Sequence, residues 1–297
     1  MIVGNRRKSG INLLQIWNVA KVEYAKWICN PRMIIILCMV LFVYDYIVCT
    51  MHNASGEMGK MCMIIEPFLA ICNSTLLILI MPIVFLTLMG DFPKTDGNTM
   101  FYIYRTGKKN WLIGQVIFAA MADATFIFIV FICAVISSLT FSRNMVTWSD
   151  VVTKYIYTFP DRYGSLMASL LTNRLYNNLS PYQALFYSLT LMFLYLLLLA
   201  VILLTAFSIG KRIIGMAINV LIMCIGSAMI YMNGMLKWIF PAANATCWVH
   251  YDKIMKKQIF SIKYSYLYFY VLILVFIIID ILTIGHYDFA KITDMED

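Results

Sequence analysis

Residues 175–210 read LYNNLSPYQALFYSLTLMFLYLLLLAVILLTAFSIG, and this stretch contains no charged side chain. A helix that crosses a bilayer needs about 20 apolar residues, because each residue adds about 1.5 Å. Five further stretches of the chain are nearly free of charge and of similar length. The six predicted spans are 33–50, 67–89, 112–141, 184–209, 213–233 and 264–285. The sequence therefore predicts an all-α, polytopic membrane protein with six transmembrane helices.

The composition agrees with this class. The chain has 297 residues, of which 62% are hydrophobic and 13% are charged, whereas soluble domains are about 25% charged. The segments between the predicted spans are too short for a second folded unit, so residues 1–297 are predicted to form a single transmembrane domain. A net charge of +8 favours contact with anionic lipid headgroups. The basic residues are scattered rather than clustered, which argues against nucleic-acid binding.

The distribution of basic residues predicts the orientation. The basic residues before the first span are Arg6, Arg7, Lys8, Lys21, Lys26 and Arg32, and the loop after it carries only Lys60. Because Lys and Arg favour the cytoplasmic side, both termini are predicted to lie in the cytoplasm, with the protein in the cell membrane. One segment opposes this rule. The loop between the fifth and sixth spans is predicted to be outside, yet it carries Lys237, Lys253, Lys256, Lys257 and Lys263.

The segment before the first span predicts a helix that lies in the membrane interface. Residues 11–28 are amphipathic, with Leu13, Trp17, Ala20, Tyr24 and Ile28 at helical spacing. Aromatic rings of this kind suit the headgroup region. Asn30 followed by Pro31 is typical of a helix start, so the first span is predicted to begin there.

The predicted cytoplasmic loop 90–111 carries the most specific local pattern. Its residues 99–104 predict a short helix that bears Met100, Phe101 and Tyr104, and the sequence Arg-Thr-Gly-Lys-Lys from Arg105 then ends that helix. An exposed aromatic helix on this side favours a protein partner. A helix lying on lipid would have the same composition, and the sequence alone does not separate the two.

Three carboxylates fall inside or beside the predicted spans, namely Asp45, Asp123 and Asp280. An intramembrane carboxylate is costly and normally faces protein or water. Asp45 and Asp280 are predicted near span ends, where the side chain reaches the interface. Asp123 is predicted to be the deepest, either as a helix-packing residue or as part of a conduit. No Lys or Arg within a span is available to pair with these acids.

Motifs for chemistry are absent from the sequence. It has no phosphate-binding loop, no His-Glu-x-x-His zinc motif and no Gly-x-Ser-x-Gly elbow. The eight cysteines form no Cys-x-x-Cys pair, and the three histidines are isolated. We therefore predict no catalytic residue, no metal site and no cofactor held by this chain.

The layout resembles a permease subunit of a type-2 ABC exporter. The matching features are Glu23, Lys26, Asn30 and Pro31 before the first span, and the sequence RTGKKNWLIG at 105–114 before the third. A broken apolar segment around Pro241, within 234–263, matches the outer re-entrant segment of that family. The resemblance covers nearly the full length, but each motif is loose. The predicted outer segment 143–182 is long for the family, and we interpret it as surface helices that cap the outer mouth.

This resemblance implies a transport subunit rather than an enzyme. A separate ABC ATPase subunit, with its ATP and Mg, would dock on the coupling helix, and a second copy of this or a related permease would share the path. The coupling residues would be Met100, Phe101, Tyr104, Arg105 and Lys108, and the candidate conduit residues are Asp45 and Asp123. An amphipathic peptide, such as a bacteriocin or peptide toxin, or a lipid-like molecule fits the methionine- and aromatic-rich spans best. The alternatives are an ATP-independent carrier or channel and a membrane-embedded lipid-modifying enzyme.

Overall fold

The computed structural model describes residues 11–95, 97–232, 234–252 and 257–285. The predicted basic start 1–10 and the predicted C-terminal tail 286–297 lie outside these residues. In chain order the helices are α1 (Leu13–Ile28), α2 (Ile34–Val43), α3 (Thr50–Met58), α4 (Glu66–Asn73), α5 (Leu77–Leu88), α6 (Gly97–Thr106), α7 (Lys108–Ser138), α8 (Asp150–Thr158), α9 (Leu166–Leu170), α10 (Asn173–Tyr176), α11 (Pro181–Ser208), α12 (Arg212–Met229), α13 (Pro241–Ala245) and α14 (Ile262–Thr283).

Within the described ranges, five helices are long and apolar enough to cross a membrane. They are Pro31–Met58, which joins α2 and α3 through a π-helical turn, and α7, α11, α12 and α14. The pair α4 and α5 passes the same test together, with a bend of 83° between its halves. Counting the pair as one span gives six, at the positions that the sequence predicts. This architecture fits a membrane-embedded protein.

The second span differs from its prediction. The sequence indicates one stretch, 67–89, broken at Pro82, but the bend lies between Asn73 and Leu77, and Pro82 sits inside α5. Asn73 explains the position of the bend. The side-chain amide of Asn73 donates to the Leu69 carbonyl (3.0 Å) and to the Ser188 hydroxyl (2.9 Å). The backbone carbonyl of Asn73 accepts from the Trp248 indole (2.9 Å). These partners satisfy polar groups where the helix is interrupted.

The bundle has two distinct ends, which we call the α6 end and the α8 end after the helices found there. Helix α11 is the core element, and it packs against α4, α5, α7, α12, α13 and α14. The turn from α11 into α12 brings the two helices close together. A Cβ added at Gly215 would lie 2.1 Å from the Ala206 Cβ, so glycine is needed for this approach.

The α8 end carries the short elements. Residues Cys62–Met63 (β1) pair in parallel with Ser142–Arg143 (β2), which the all-α prediction did not include. Helices α8 to α10, within the predicted segment 143–182, cover this end, where α8 and α9 contact α3 and α10 contacts the turn Cys247–His250. The segment from Gly234 to Asp252, within the predicted segment 234–263, contributes α13, which is buried among α11, α12 and α14.

Helix α1 coincides with the predicted interfacial helix, but it buries a different face. The buried residues are Ile16, Val19, Ala20, Glu23 and Trp27, whereas the predicted apolar positions Leu13 and Trp17 are exposed. The reason is that α1 packs along α7 in the same direction. The Asn12 backbone N–H donates to Asn110 Oδ1 (3.3 Å), and the Tyr24 hydroxyl lies 2.7 Å from Thr125 Oγ1. Leu13 and Trp17 therefore lie on the face of α1 that points away from α7.

Candidate functional site

The predicted helix of loop 90–111 is present as α6, and a sharp corner attaches it to α7. Gly107 joins the two helices with φ +83° and ψ 146°, a conformation that is essentially restricted to glycine. The Asn110 side chain stabilises the corner, because its amide donates to the Thr106 carbonyl (2.8 Å) and to Gln15 Oε1 of α1 (3.2 Å). Helices α1, α6 and α7 thus form one connected unit at this end.

One face of α6 is buried and the opposite face is exposed. Thr99, Ile103 and Thr106 are buried at helical spacing against α1 and α7. Phe101 is 75% exposed and Tyr104 is 85% exposed. Two large aromatic side chains with this exposure on a fixed helix form a surface suited to a partner, since aromatic residues are enriched at interface hot spots.

The other predicted coupling residues occupy different positions. Arg105 is exposed next to Tyr104 and extends the same surface. Lys108 lies beyond the corner, on α7, and donates to the carbonyl of Gly285 after α14 (3.2 Å), so it links two spans instead of facing outward. The side chain of Met100 lies outside the part of the chain that the structure describes.

A second feature of the α6 end is a cleft between α2, α5 and α12, with a volume of about 480 Å³. Its apolar walls are Ile35, Ile83, Leu86, Met216, Val220 and Met223. Arg32 and Asp91 lie at its base, and Arg212, which does not line the cleft, approaches Asp91 from beside it. Arg32 is 2.7 Å from one carboxylate oxygen of Asp91, and Arg212 is 3.8 Å from the other and also donates to the Gly90 carbonyl (2.8 Å).

Sequence reasoning did not find this cleft. From the sequence, Arg32 indicates orientation alone, and no role is predicted for Arg212 or Asp91. The sequence places Arg32, Asp91 and Arg212 at the ends of predicted spans, and this was the signal available. Only the fold brings the start of the first span, the end of the second and the start of the fifth together. The arrangement offers an apolar cavity whose base carries the Arg32–Asp91 ion pair.

Asp45 lies in a helix that is longer than the predicted first span. The continuous helix extends from Pro31 to Met58, beyond the predicted apolar stretch 33–50, and Asp45 lies near the middle of its 28 residues. Its side chain is exposed, within the π-helical turn Tyr44–Cys49. Such turns are often found at functional sites. A carboxylate exposed at mid-span requires water or a polar partner beside it.

The other two acids are fully buried. Asp123 has no exposed surface, and neither of its carboxyl oxygens has a hydrogen-bond partner among the described residues. Asp280 was expected to reach the interface, but it is buried between α14 and α11, where it accepts from the Ser208 hydroxyl (3.0 Å). The structure therefore does not bring the three acids together, and a conduit role for Asp123 stays a prediction.

Polar side chains elsewhere are arranged for packing. Among the described residues, no group of three or more His, Cys, Asp or Glu side chains could hold a metal ion. His250 and Ser265 are in contact, with 2.8 Å between Nε2 and Oγ, but both are fully buried and offer no access to a substrate.

Comparison with known proteins adds no relative. No protein-family model matches the sequence, and no curated protein or solved structure matches it either. The resemblance to ABC permeases therefore rests on the layout and on the motifs quoted above.

Proposed function

We propose that this chain is the transmembrane subunit of an exporter that is driven by a separate ABC ATPase subunit. The observation that carries the proposal is the exposure of Phe101 and Tyr104 on α6, a helix that Gly107 fixes to the start of the third span. A partner that grips α6 would move α7 with it. In this proposal ATP and Mg stay on the partner, and this chain performs no chemistry.

The proposed orientation places the α6 end in the cytoplasm of the cell. The basic residues at this end include Lys26, Arg32, Lys94, Arg105, Lys108, Lys109, Lys211 and Arg212. Such an excess favours the cytoplasmic side. The chain then crosses the cell membrane six times, α1 lies at the inner interface, the segment with α13 is re-entrant from outside, and both termini are cytoplasmic.

The proposed path lies along the exposed face of the first span. Asp45 is exposed at mid-span, and a monomer in lipid would leave its carboxylate facing hydrocarbon. A second copy of this or a related permease, facing the first across a shared path, would give Asp45 a polar environment. In this proposal the cleft with the Arg32–Asp91 ion pair at its base lies at the cytoplasmic end, and an apolar wall above a charged base suits an amphipathic peptide or a lipid-like substrate.

Co-purification tests the proposal. The chain is expressed with the ATPase encoded by a neighbouring gene, and the double variant Phe101→Ala/Tyr104→Ala is compared with Tyr157→Ala/Tyr163→Ala. The control pair is also highly exposed, at 81% and 74%, but lies at the α8 end. Loss of two aromatic anchors costs about 2 kcal/mol or more, which reduces the retained ATPase more than tenfold. Unchanged retention in the first variant, or equal loss in both, would refute the docking assignment.

The alternative of an ATP-independent carrier has one observation in its favour. The bend of 83° in the second span interrupts a helix within the membrane, as in many carriers. Purified chain in sealed vesicles without any ATPase separates the two functions. Uptake driven by an ion gradient alone would support the carrier, and no uptake until ATPase and ATP are added would support the exporter.

A further inference from the structure

A groove runs along the bundle between the third and sixth spans. Helices α7 and α14 form its walls and α11 forms its floor, and the cavity has a volume of about 720 Å³. At the α6 end the two walls are joined, because Lys108 of α7 donates to the Gly285 carbonyl. Toward the α8 end they separate. The groove therefore lies in the half of the spans nearer the α8 end.

The lining of the groove is almost entirely apolar. The buried floor includes Ile127, Leu194 and Ile273, and exposed aromatic rings such as Phe128 and Phe186 stand at its mouth. Thr190 provides a polar group, and it is already satisfied: its hydroxyl donates to the Phe186 carbonyl (2.8 Å) and is hydrogen-bonded to the Tyr266 hydroxyl. An ordered water needs two to four polar partners, so this groove does not favour water.

The position of the groove decides its occupant. All three of its helices have the length and hydropathy of membrane spans, and every lining residue lies within those helices. The surrounding solvent at this depth is hydrocarbon. A transmembrane helix is about 10 Å across, so 720 Å³ would accommodate less than two turns of one. The volume lies within the range of about 300–1,000 Å³ that small-molecule sites have.

We propose that the groove between α7, α11 and α14 binds one acyl chain of a membrane phospholipid. The chain fills a space that the protein would otherwise leave empty, and close packing against the floor retains it. The headgroup lies at the α8 end, beyond Phe186. This site depends only on embedding in a membrane and not on the proposed transport function.

Photo-crosslinking of the unmodified chain gives the first test. The chain is reconstituted in phosphatidylcholine vesicles that contain a phosphatidylcholine with a diazirine on one acyl chain. After irradiation, adducts on groove residues such as Phe128 and Phe193 should exceed those on the outward-facing Leu274 and Ile278 several-fold. Equal labelling of both sets would show ordinary boundary lipid and overturn the proposal. Crosslinks between groove residues of two chains would also overturn it, because a second copy would then occupy the groove.

A filled-groove variant gives the second test. Ala124 is exposed in the groove wall, and Ala124→Trp would occupy the site, whereas Ala228→Trp places the same ring on an exposed position of α12. Native mass spectrometry after delipidation in detergent counts the retained phospholipids. We expect the loss of one bound phospholipid per chain in Ala124→Trp and no loss in Ala228→Trp. Equal retention in both variants would overturn the assignment, and if Ala124→Trp does not fold, the crosslinking map decides alone.

Discussion

Glu66 and Ser149 are joined by two hydrogen bonds across 83 residues of sequence. One carboxylate oxygen of Glu66 accepts from the Ser149 backbone N–H (2.8 Å), and the other accepts from the Ser149 hydroxyl (2.7 Å) and from the Met63 N–H (2.9 Å). Glu66 is fully buried. This contact holds the start of the bent second span against the segment that leads into α8.

The first prediction concerns this contact. Glu66→Ala leaves two buried N–H groups without an acceptor, which costs about 2–6 kcal/mol, and Glu66→Gln displaces one acceptor, which costs about 1–3 kcal/mol. Thermal unfolding in detergent measures the loss of stability in both variants. Glu57→Gln is the matched control at the same end, because Glu57 forms a surface ion pair with Arg162, and exposed ion pairs contribute little to stability. A Tm shift no larger in Glu66→Ala than in Glu57→Gln would contradict the structural role.

The second prediction concerns the corner between α6 and α7. Gly107→Ala forces a side chain into a backbone conformation that disfavours it, at a cost of about 1–3 kcal/mol. We expect faster hydrogen exchange of the α6 amides in this variant, with unchanged exchange in α11. Gly164→Ala is the control, because a Cβ there meets no atom within 4 Å. Unaltered exchange of α6 in Gly107→Ala would show that glycine is not required at this corner.

The third prediction concerns Asp123. Its carboxyl group makes no hydrogen bond to a described residue and is fully buried, so Asp123→Asn should change thermal stability by less than about 1 kcal/mol. If Asp123 enters the substrate path during the transport cycle, the same variant alters the stimulation of ATP hydrolysis by a candidate peptide. Normal stimulation in Asp123→Asn would remove this residue from the path.

The fourth prediction concerns acid stability and His250. Burial lowers the pKa of His250 from its usual 6.5 to about 4, and the nearby Lys237 acts in the same direction. The ring is held neutral, with Nδ1 3.0 Å from the Thr246 carbonyl and Nε2 2.8 Å from the Ser265 hydroxyl. The unfolded chain therefore binds a proton at a pH at which the folded chain does not.

The direction of the pH effect on stability follows from this difference in proton binding. The contribution of His250 to stability should fall as the pH is lowered from about 6.5 to about 4, by up to about 1.4 kcal/mol per pH unit, and should level off below that range. Lys154 and Lys60 hold the pKa of Asp150 at about 2. The stability that the ionised Asp150 carboxylate contributes is therefore lost mainly below the pH range in which His250 acts. Thermal unfolding in detergent across pH 4–7 measures the slope. A slope as steep in His250→Gln as in the unmodified chain would show that His250 does not cause it.

The sequence alone determined the class of the protein and the placement of most helices. Uncharged stretches long enough to cross a membrane are local features, and so are the starts of helices. Asn30 accepts from the Arg32 N–H before the first span, as the Asn30–Pro31 pair predicts. Ser180 with Gln183 caps α11 immediately before Pro181, a signal of the same local kind that the sequence-based prediction did not use. Such signals act within a few residues, so they are present in the sequence itself.

The tertiary structure decided what each polar side chain does. The bend after Asn73, the burial of Asp280 against Ser208 and the ion pairs of Asp91 with Arg32 and Arg212 all join residues that are far apart in the sequence. The continuation of the first helix through polar residues to Met58 was not included in the hydropathy prediction, and the exposure of Asp45 depends on which face of that helix packs against the bundle. A polar group in a membrane protein must find its partner on another element, and a single sequence does not specify which elements meet.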